Sequence, residues 1–157
     1  IERFRQYHIE VVRLGIGLHG ISATHANLQP VSSFKTYISS IRNVPEGQSI
    51  GYGRKSYTTR SSRIAVIPVG YADGLNRHLS NRVGNVFIKG KRVPIIGNIC
   101  MDTCMIDVTD TNATIGDEVE IFGKHILVTE LSEQLGTIPY EILTGISHRV
   151  KRVYYKE

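Results

Sequence analysis

"RIAVIPVGYADG", residues 63–74, decides the fold of this chain. Its first half, from Ile64 to Ile67, is an unbroken apolar run, the pattern of a strand covered on both faces. Pro68 follows at once and points to a sheet edge or a bulge, because proline cannot donate to a ladder. The second half turns sharply and presents Tyr71 between Gly70 and Ala72. The same device stands 19 residues upstream, where "SIGYGRKSY" (49–57) holds Tyr52 between Gly51 and Gly53. Glycine in a strand marks a bulge or a close approach by other backbone or a ligand. Each tyrosine taken singly is an ordinary turn residue; two phenols presented in this way are candidates for chemistry.

The pattern outward from this stretch is mainly β. "SSFKTYISSIRNV" (32–44) alternates and predicts one strand with a wet face, followed by a turn at Pro45, Glu46 and Gly47. "NVFIKGKRVPIIG" (85–97) predicts a hairpin turning at Lys89 and Gly90. "ICMDTCMIDVTD" (99–110) predicts another strand, and "GDEVEIFGKHILVT" (116–129) a second hairpin turning near Gly123 and Lys124. The period then changes. "TELSEQLG" spaces Leu131 and Leu135 four apart and stops at Gly136, as a short helix does. "TIPYEILTGIS" predicts a second helix with Thr137 as N-cap and Pro139 in its first turn. Tyr140 sits in that turn, where free N–H groups and the helix dipole favour anions. "HRVKRVYY" closes as a strand. At the other end, "IEVVRLGIGLHGIS" (9–22) reads as a compact strand covered on both faces, as in a parallel sheet, and "SATHANLQP" (22–30) as a linker. Two regions result, 1–30 and 31–157.

The totals narrow the class. The chain's 157 residues are enough for one domain with a real core, or for one domain plus a fragment, and its 41% hydrophobic and 21% charged residues are ordinary for a soluble globular chain. The net charge of +5 could suit a nucleic-acid partner, but the basic residues are scattered and "RVKRVYYK" (149–156) is their densest cluster. That reads as solvated surface. Cys100 and Cys104 are too few for a secreted scaffold or a zinc site. On one strand they would share a face too far apart to bridge, so they read as free thiols in a reducing compartment. The histidines show no ligand spacing, so no metal is expected. No apolar run approaches the ~18 residues of a membrane helix, and no signal peptide is visible, so a cytoplasmic protein is expected. The start at Ile1 without methionine suggests a piece of something longer.

The motifs "VVRLGIGLHG", "IGYGRKSY", "RIAVIPVGYADG", "RVPIIGNICMDTCMIDVT", "GDEVEIFG" and "TIPYEILTGISHRVKR" occur in that order. Together they resemble the C-terminal part of bacterial alanine racemase, a fold-type III pyridoxal-phosphate enzyme, from about residue 8 to the end. The resemblance implies a C-terminal β-barrel domain with two short helices, at 31–157. Before it, in 1–30, it implies the last strand of a (β/α)8 barrel and a linker. The family's cofactor-bearing lysine falls outside this chain, so the fragment alone is expected to be inactive.

The resemblance also implies roles. Tyr52 matches the base that serves one face of the substrate while the lysine serves the other. A free phenol has a pKa of roughly 10, so it needs nearby positive charge to act as a base. Arg13 matches the arginine at the pyridine nitrogen, where a permanent charge keeps that nitrogen unprotonated. Gly15 and Ile16 match the backbone that cradles the phosphate, and Tyr140 the tyrosine that contacts it and narrows the gate. Met101 matches the residue whose backbone N–H receives the substrate carboxylate, with Asp102 beside it. Tyr71 lines the substrate region, and Arg77 and Asp73 the access passage. The implied whole is a homodimer with shared sites, interconverting L- and D-alanine for peptidoglycan synthesis. His19 stands where many members have tyrosine, and Lys151 where many have proline; neither position is assigned chemistry. A related racemase acting on serine is the nearest alternative, and the bulk of Tyr140 at the gate argues against it. A basic β-barrel that binds nucleic acid would want aromatics interleaved with basic residues on one sheet face, and tyrosines in glycine turns do not make that stripe.

Overall fold

The computed structural model describes residues 6, 7, 9–11, 13–22, 28–54 and 56–155. The chain divides into two compact units, Ile1–Ser32 and Ser33–Glu157.

In the first unit the described residues form a 3₁₀ turn, Ile16–His19, stopped by Gly20 in the left-handed region (φ 72°). The strand expected around Val11 does not form in the described residues 9–11 and 13–15. Ile9 and Val11 are exposed instead. A parallel strand needs flanking strands to take its N–H and C=O groups, and this unit's described residues supply none. Val12 and most of the predicted linker lie outside the described residues.

The second unit is a seven-stranded sheet, a two-stranded ribbon and two helices. The strands are β1 (Phe34–Tyr37), β2 (Ser40–Val44), β3 (Ser49–Ile50), β4 (Ser56–Tyr57), β5 (Ser62–Ile67), β6 (Asn85–Ile88), β7 (Lys91–Ile96), β8 (Cys104–Asp107) and β9 (Glu118–Phe122). The large sheet runs β1-β9-β6-β7-β8-β5-β2, and β3 pairs with β4 as the ribbon. Every pairing is antiparallel.

The single strand expected at 32–44 is two strands, and the break explains the architecture. β1 pairs with β9 at one edge of the sheet and β2 with β5 at the other. Only Ile38 and Ser39 separate them. The Ile38 N–H donates to Asp117 O at 3.0 Å, and the Ser39 N–H to Val66 O at 2.9 Å. Two residues cannot span a flat sheet of seven strands spaced roughly 4.8 Å apart. The sheet is therefore rolled until its edges meet, with Ile38 fully buried at the seam. Ile67, Ile88, Ile95, Ile96, Ile106, Val86 and Val119 fill the interior.

Other expectations shift by local chemistry. β5 is internal, between β8 and β2, and stops at Ile67, so Pro68 lies just past the ladder and not on an edge. The hairpin at Lys89 and Gly90 forms as expected, with both residues at positive φ (48° and 78°), as a type I′ turn requires. The second hairpin does not form. After β9 the chain wraps around the buried Glu120 carboxylate, which accepts from the N–H groups of His125 (2.7 Å) and Ile126 (3.1 Å). The helices α1 (Val128–Leu135) and α2 (Pro139–Gly145) follow. The N-cap of α2 is Ile138, because the Thr137 hydroxyl bonds the Glu141 carboxylate instead of a backbone N–H. No closing strand follows among the described residues: the Arg152 guanidinium donates to the carbonyls of Ile146, Ser147 and Val150 and finishes the end of α2. The strand predicted over 99–110 shortens to β8, which leaves Ile99–Thr103 as a loop. Cys100 and Cys104 are free, and burial pushes the Cys104 thiol up to about 12.

Candidate active site

Two loops and one turn of the second unit converge. The turn Tyr52–Arg54 joins β3 to β4, with Gly51 and Gly53 at φ 76° and 78°. It lies against the turn after β7. A Cβ on Gly51 would stand 2.9 Å from Met105 Cε and 3.5 Å from the Asn98 nitrogen. Asn98 Nδ2 donates to the Tyr52 carbonyl at 3.0 Å, and the tyrosine ring points outward, 81% exposed.

The second loop, Gly70–Gly74, is pinned to the third, Ile99–Thr103, through backbone. The N–H of Tyr71 donates to Cys100 O and that of Ala72 to Met101 O, both at 3.0 Å. Gly70 has an ordinary extended φ (−141°), and its lack of a side chain has a steric cause. A Cβ there would lie 2.3 Å from the carbonyl oxygens of both Cys100 and Met101. Ser80 ties in the next turn: its hydroxyl donates to Arg77 O (2.6 Å) and accepts from the Ile99 N–H (3.0 Å).

These pieces enclose a pocket of about 390 Å³ lined by Tyr52, Tyr71, Arg77, Asn98, Ile99, Cys100 and Met101. Tyr71 and Arg77 also line a second cavity of about 350 Å³, walled by Leu131, Leu135, Ile142 and Ile146. The pocket thus brings together four residues expected from the sequence: Tyr52, Tyr71, Arg77 and Met101.

Asp73 and Asp102 do not line it; they hold its walls. Arg149 Nε donates to Asp73 Oδ1 and Arg149 Nη2 to Asp102 Oδ1, each at 2.7 Å. Asp73 Oδ2 also accepts from the Gly70 N–H at 2.9 Å. Burial alone would raise the Asp73 carboxyl, but the Arg149 guanidinium and the Gly70 N–H override it and hold it below its ordinary value. The two carboxylates push Arg149 upward in turn. Tyr140 stands in the first turn of α2, exposed, and is not part of the pocket wall. Arg13 and Gly15, exposed, and Ile16, half-buried, belong to the first unit.

Sequence reading missed Asn98, Asn81 and Arg149, whose partners are distant in the chain. Glycine beside Asn98 was the one local signal. Among the described residues no group of three or more His, Cys, Asp or Glu could hold a metal ion, and no helix is long and apolar enough to cross a membrane.

Residues 31–154 match the family model "Alanine racemase, C-terminal domain". The chain is 47% identical to alanine racemase 2 of Caldanaerobacter subterraneus over 94% of its length and 40% of that protein's. It is 45% identical to the alanine racemase of Methanococcus maripaludis, over 94% of this chain and 42% of the other. Among solved structures, the alanine racemase of Bartonella henselae with covalently bound pyridoxal phosphate superposes with a TM-score of 0.85. It is 38% identical and covers 90% of this chain and 40% of that one. The Bacillus anthracis enzyme with bound L-Ala-P gives 0.80 at 36% identity, over 87% of this chain and 37% of that one. The chain spans about two fifths of the length of the curated relatives it matches. It belongs to the alanine racemase family and carries that family's C-terminal β domain.

Proposed function

We propose that this chain is part of a pyridoxal-phosphate-dependent racemase that interconverts L- and D-alanine, with Tyr52 moving the α-proton on one face of the substrate. The observation that carries this is the placement of Tyr52: a glycine-flanked turn, bound down by Asn98, presents its phenol at a pocket shared with Tyr71, Arg77 and Met101.

The residues fit the cofactor. The backbone N–H groups of Ile16 and Gly17 have no acceptor among the described residues and would suit phosphate oxygens. Gly15 and Ile16 would hold that phosphate, and Arg13 would hold the pyridine nitrogen. No lysine lines the Tyr52 pocket. Covalent attachment of the kind in the Bartonella henselae enzyme would use a residue outside this pocket, and the family resemblance implies a lysine that lies outside this chain. When bound, the cofactor supplies the electron sink that makes the α-proton acidic.

The remaining roles belong to this chain. The Met101 N–H, which has no acceptor among the described residues, would receive the substrate carboxylate. Tyr52 would take or return the proton at its hydroxyl oxygen, with Arg77 lining the same pocket. Tyr71 would close the substrate side, and Arg77 and Asp73 would shape the access passage, Asp73 through Arg149. The working enzyme would be a cytoplasmic homodimer with sites shared between subunits, supplying D-alanine for peptidoglycan. The 157-residue polypeptide alone would be inactive, having the phenol without the lysine.

The test is the full-length holoenzyme with L-alanine, with L-serine as comparison. D-alanine should form, and Tyr52→Phe should cut the rate by about 10²–10⁴-fold or more, the usual worth of a general acid–base group. Racemisation of L-alanine undiminished in Tyr52→Phe would overturn the assignment.

A further inference from the structure

Among the described residues no hydrogen bond holds the Tyr52 hydroxyl, so the phenol's position depends on the backbone beneath it. That backbone is tied by a chain of carboxamides. The Tyr52 carbonyl can only accept, so the NH₂ of Asn98 faces it, at 3.0 Å. This leaves Asn98 Oδ1 to accept from Asn81 Nδ2, also at 3.0 Å. Asn81 is in turn fixed by its N–H, which donates to Gly97 O at 3.0 Å. Its φ of 56° is in the left-handed region, which asparagine tolerates better than most residues. The approach is close from both sides: a Cβ on Gly97 would lie 3.2 Å from Ile50 O.

We propose that Asn98 is a positioning residue for Tyr52, its carboxamide bridging the Tyr52 carbonyl to Asn81 and so fixing the turn that presents the phenol. The inference rests on the reading of Tyr52 as a proton-transfer group. A misplacement of about 1 Å at a reacting group can cost ~10²-fold in rate, so an untied turn should be felt in proton transfer on one face of the substrate only.

The experiment uses the full-length holoenzyme in heavy water and follows α-proton exchange from L-alanine and from D-alanine separately. Asn98→Ala removes both bonds; Asn98→Asp keeps the acceptor for Asn81 and sets a carboxylate against the Tyr52 carbonyl. Both should slow exchange from L-alanine by about tenfold or more, with exchange from D-alanine held within about twofold. Adding Asn98→Ala to Tyr52→Phe should cost nothing further, because the asparagine acts through the phenol. The proposal is overturned by unchanged exchange from L-alanine, by equal loss in both directions, or by losses that multiply in the double variant. If the Asn98 variants do not fold, Asn81→Gly carries the test. It removes the outer donor at a position whose φ suits glycine and should give the same one-sided loss; unchanged L-alanine exchange there overturns the proposal. Tyr52→Phe alone separates the two levels. If it keeps wild-type exchange, the functional reading falls and this inference with it; if it loses exchange and the asparagine variants do not, only the inference falls.

Discussion

Arg149 Nε lies 2.7 Å from Asp73 Oδ1, across 76 residues of chain, and the same guanidinium reaches Asp102. One side chain from beyond α2 thus holds both loops that carry Tyr71 and Met101. Asp73 is buried and Arg149 half-exposed, so the Asp73 end is the better shielded half of the staple.

Asp73→Ala should therefore destabilise the domain by about 1–3 kcal/mol, the usual cost of losing a charged hydrogen bond and leaving the Gly70 N–H unpaired. The sign with pH follows from the depressed carboxyl. Its contribution is complete above the ordinary aspartate value of about 4 and is lost as the pH falls through the lower folded value. Thermal unfolding measured down the acid limb should show Asp73→Asn with a shallower fall than wild type. Parallel curves would mean that Asp73 is not linked to acid unfolding.

Glu120 should behave in the same direction for a different structural reason. Burial alone would raise its carboxyl, but the His125 ring at 3.0 Å and the N–H groups of His125 and Ile126 hold it low. Its stabilisation is complete above the ordinary glutamate value and is lost as the pH falls through the lower folded value. Glu120→Ala leaves the Ile126 N–H buried without its acceptor and should cost about 1–3 kcal/mol. Urea unfolding at neutral pH checks this. A loss within error would show that the loop after β9 finds other partners.

Gly70 and Gly90 separate two reasons for glycine. At Gly70 an added Cβ meets two carbonyl oxygens at 2.3 Å, so Gly70→Ala must push the Tyr71 and Met101 loops apart. The expected cost is about 3 kcal/mol, at the upper end of overpacking. Gly90 has φ 78° and open space around it, so Gly90→Ala should cost only the left-handed strain, about 1–2 kcal/mol. Equal melting temperatures for the two variants would refute the steric account.

These residues also mark what the sequence could show. The Lys89–Gly90 hairpin and the Tyr52 turn were legible because each imposes a local backbone demand. The break at Ile38–Ser39 was not, since alternation continues through it and only the partners of β1 and β2 reveal that the sheet rolls. The loop after β9 read as a strand because its apolar pattern is strand-like, while the buried Glu120 carboxylate took its N–H groups. Asn98 and Arg149 were invisible for a related reason: their bonds span 46, 47 and 76 residues and leave no periodic trace.

The pocket holding Tyr52 has no lysine in its wall, so if Tyr52 moves the proton on one face, as proposed, the group serving the other face comes from elsewhere, in the same subunit or in a partner. Mixed dimers distinguish the cases. One full-length variant carries Tyr52→Phe and the other lacks the cofactor-bearing lysine; each is inactive alone. If the site is shared, every heterodimer has one site with both groups intact and one with neither. Random mixing makes half the dimers heterodimers, each with one working site, so about a quarter of wild-type specific activity should return. If each subunit builds its own site, every site in the mixture keeps one defect and nothing returns. Separately tagged subunits purified through both tags give the heterodimer directly. Activity near half of wild type in that fraction is the shared-site result, and an inactive, cofactor-loaded heterodimer would place Tyr52 beside its own subunit's lysine.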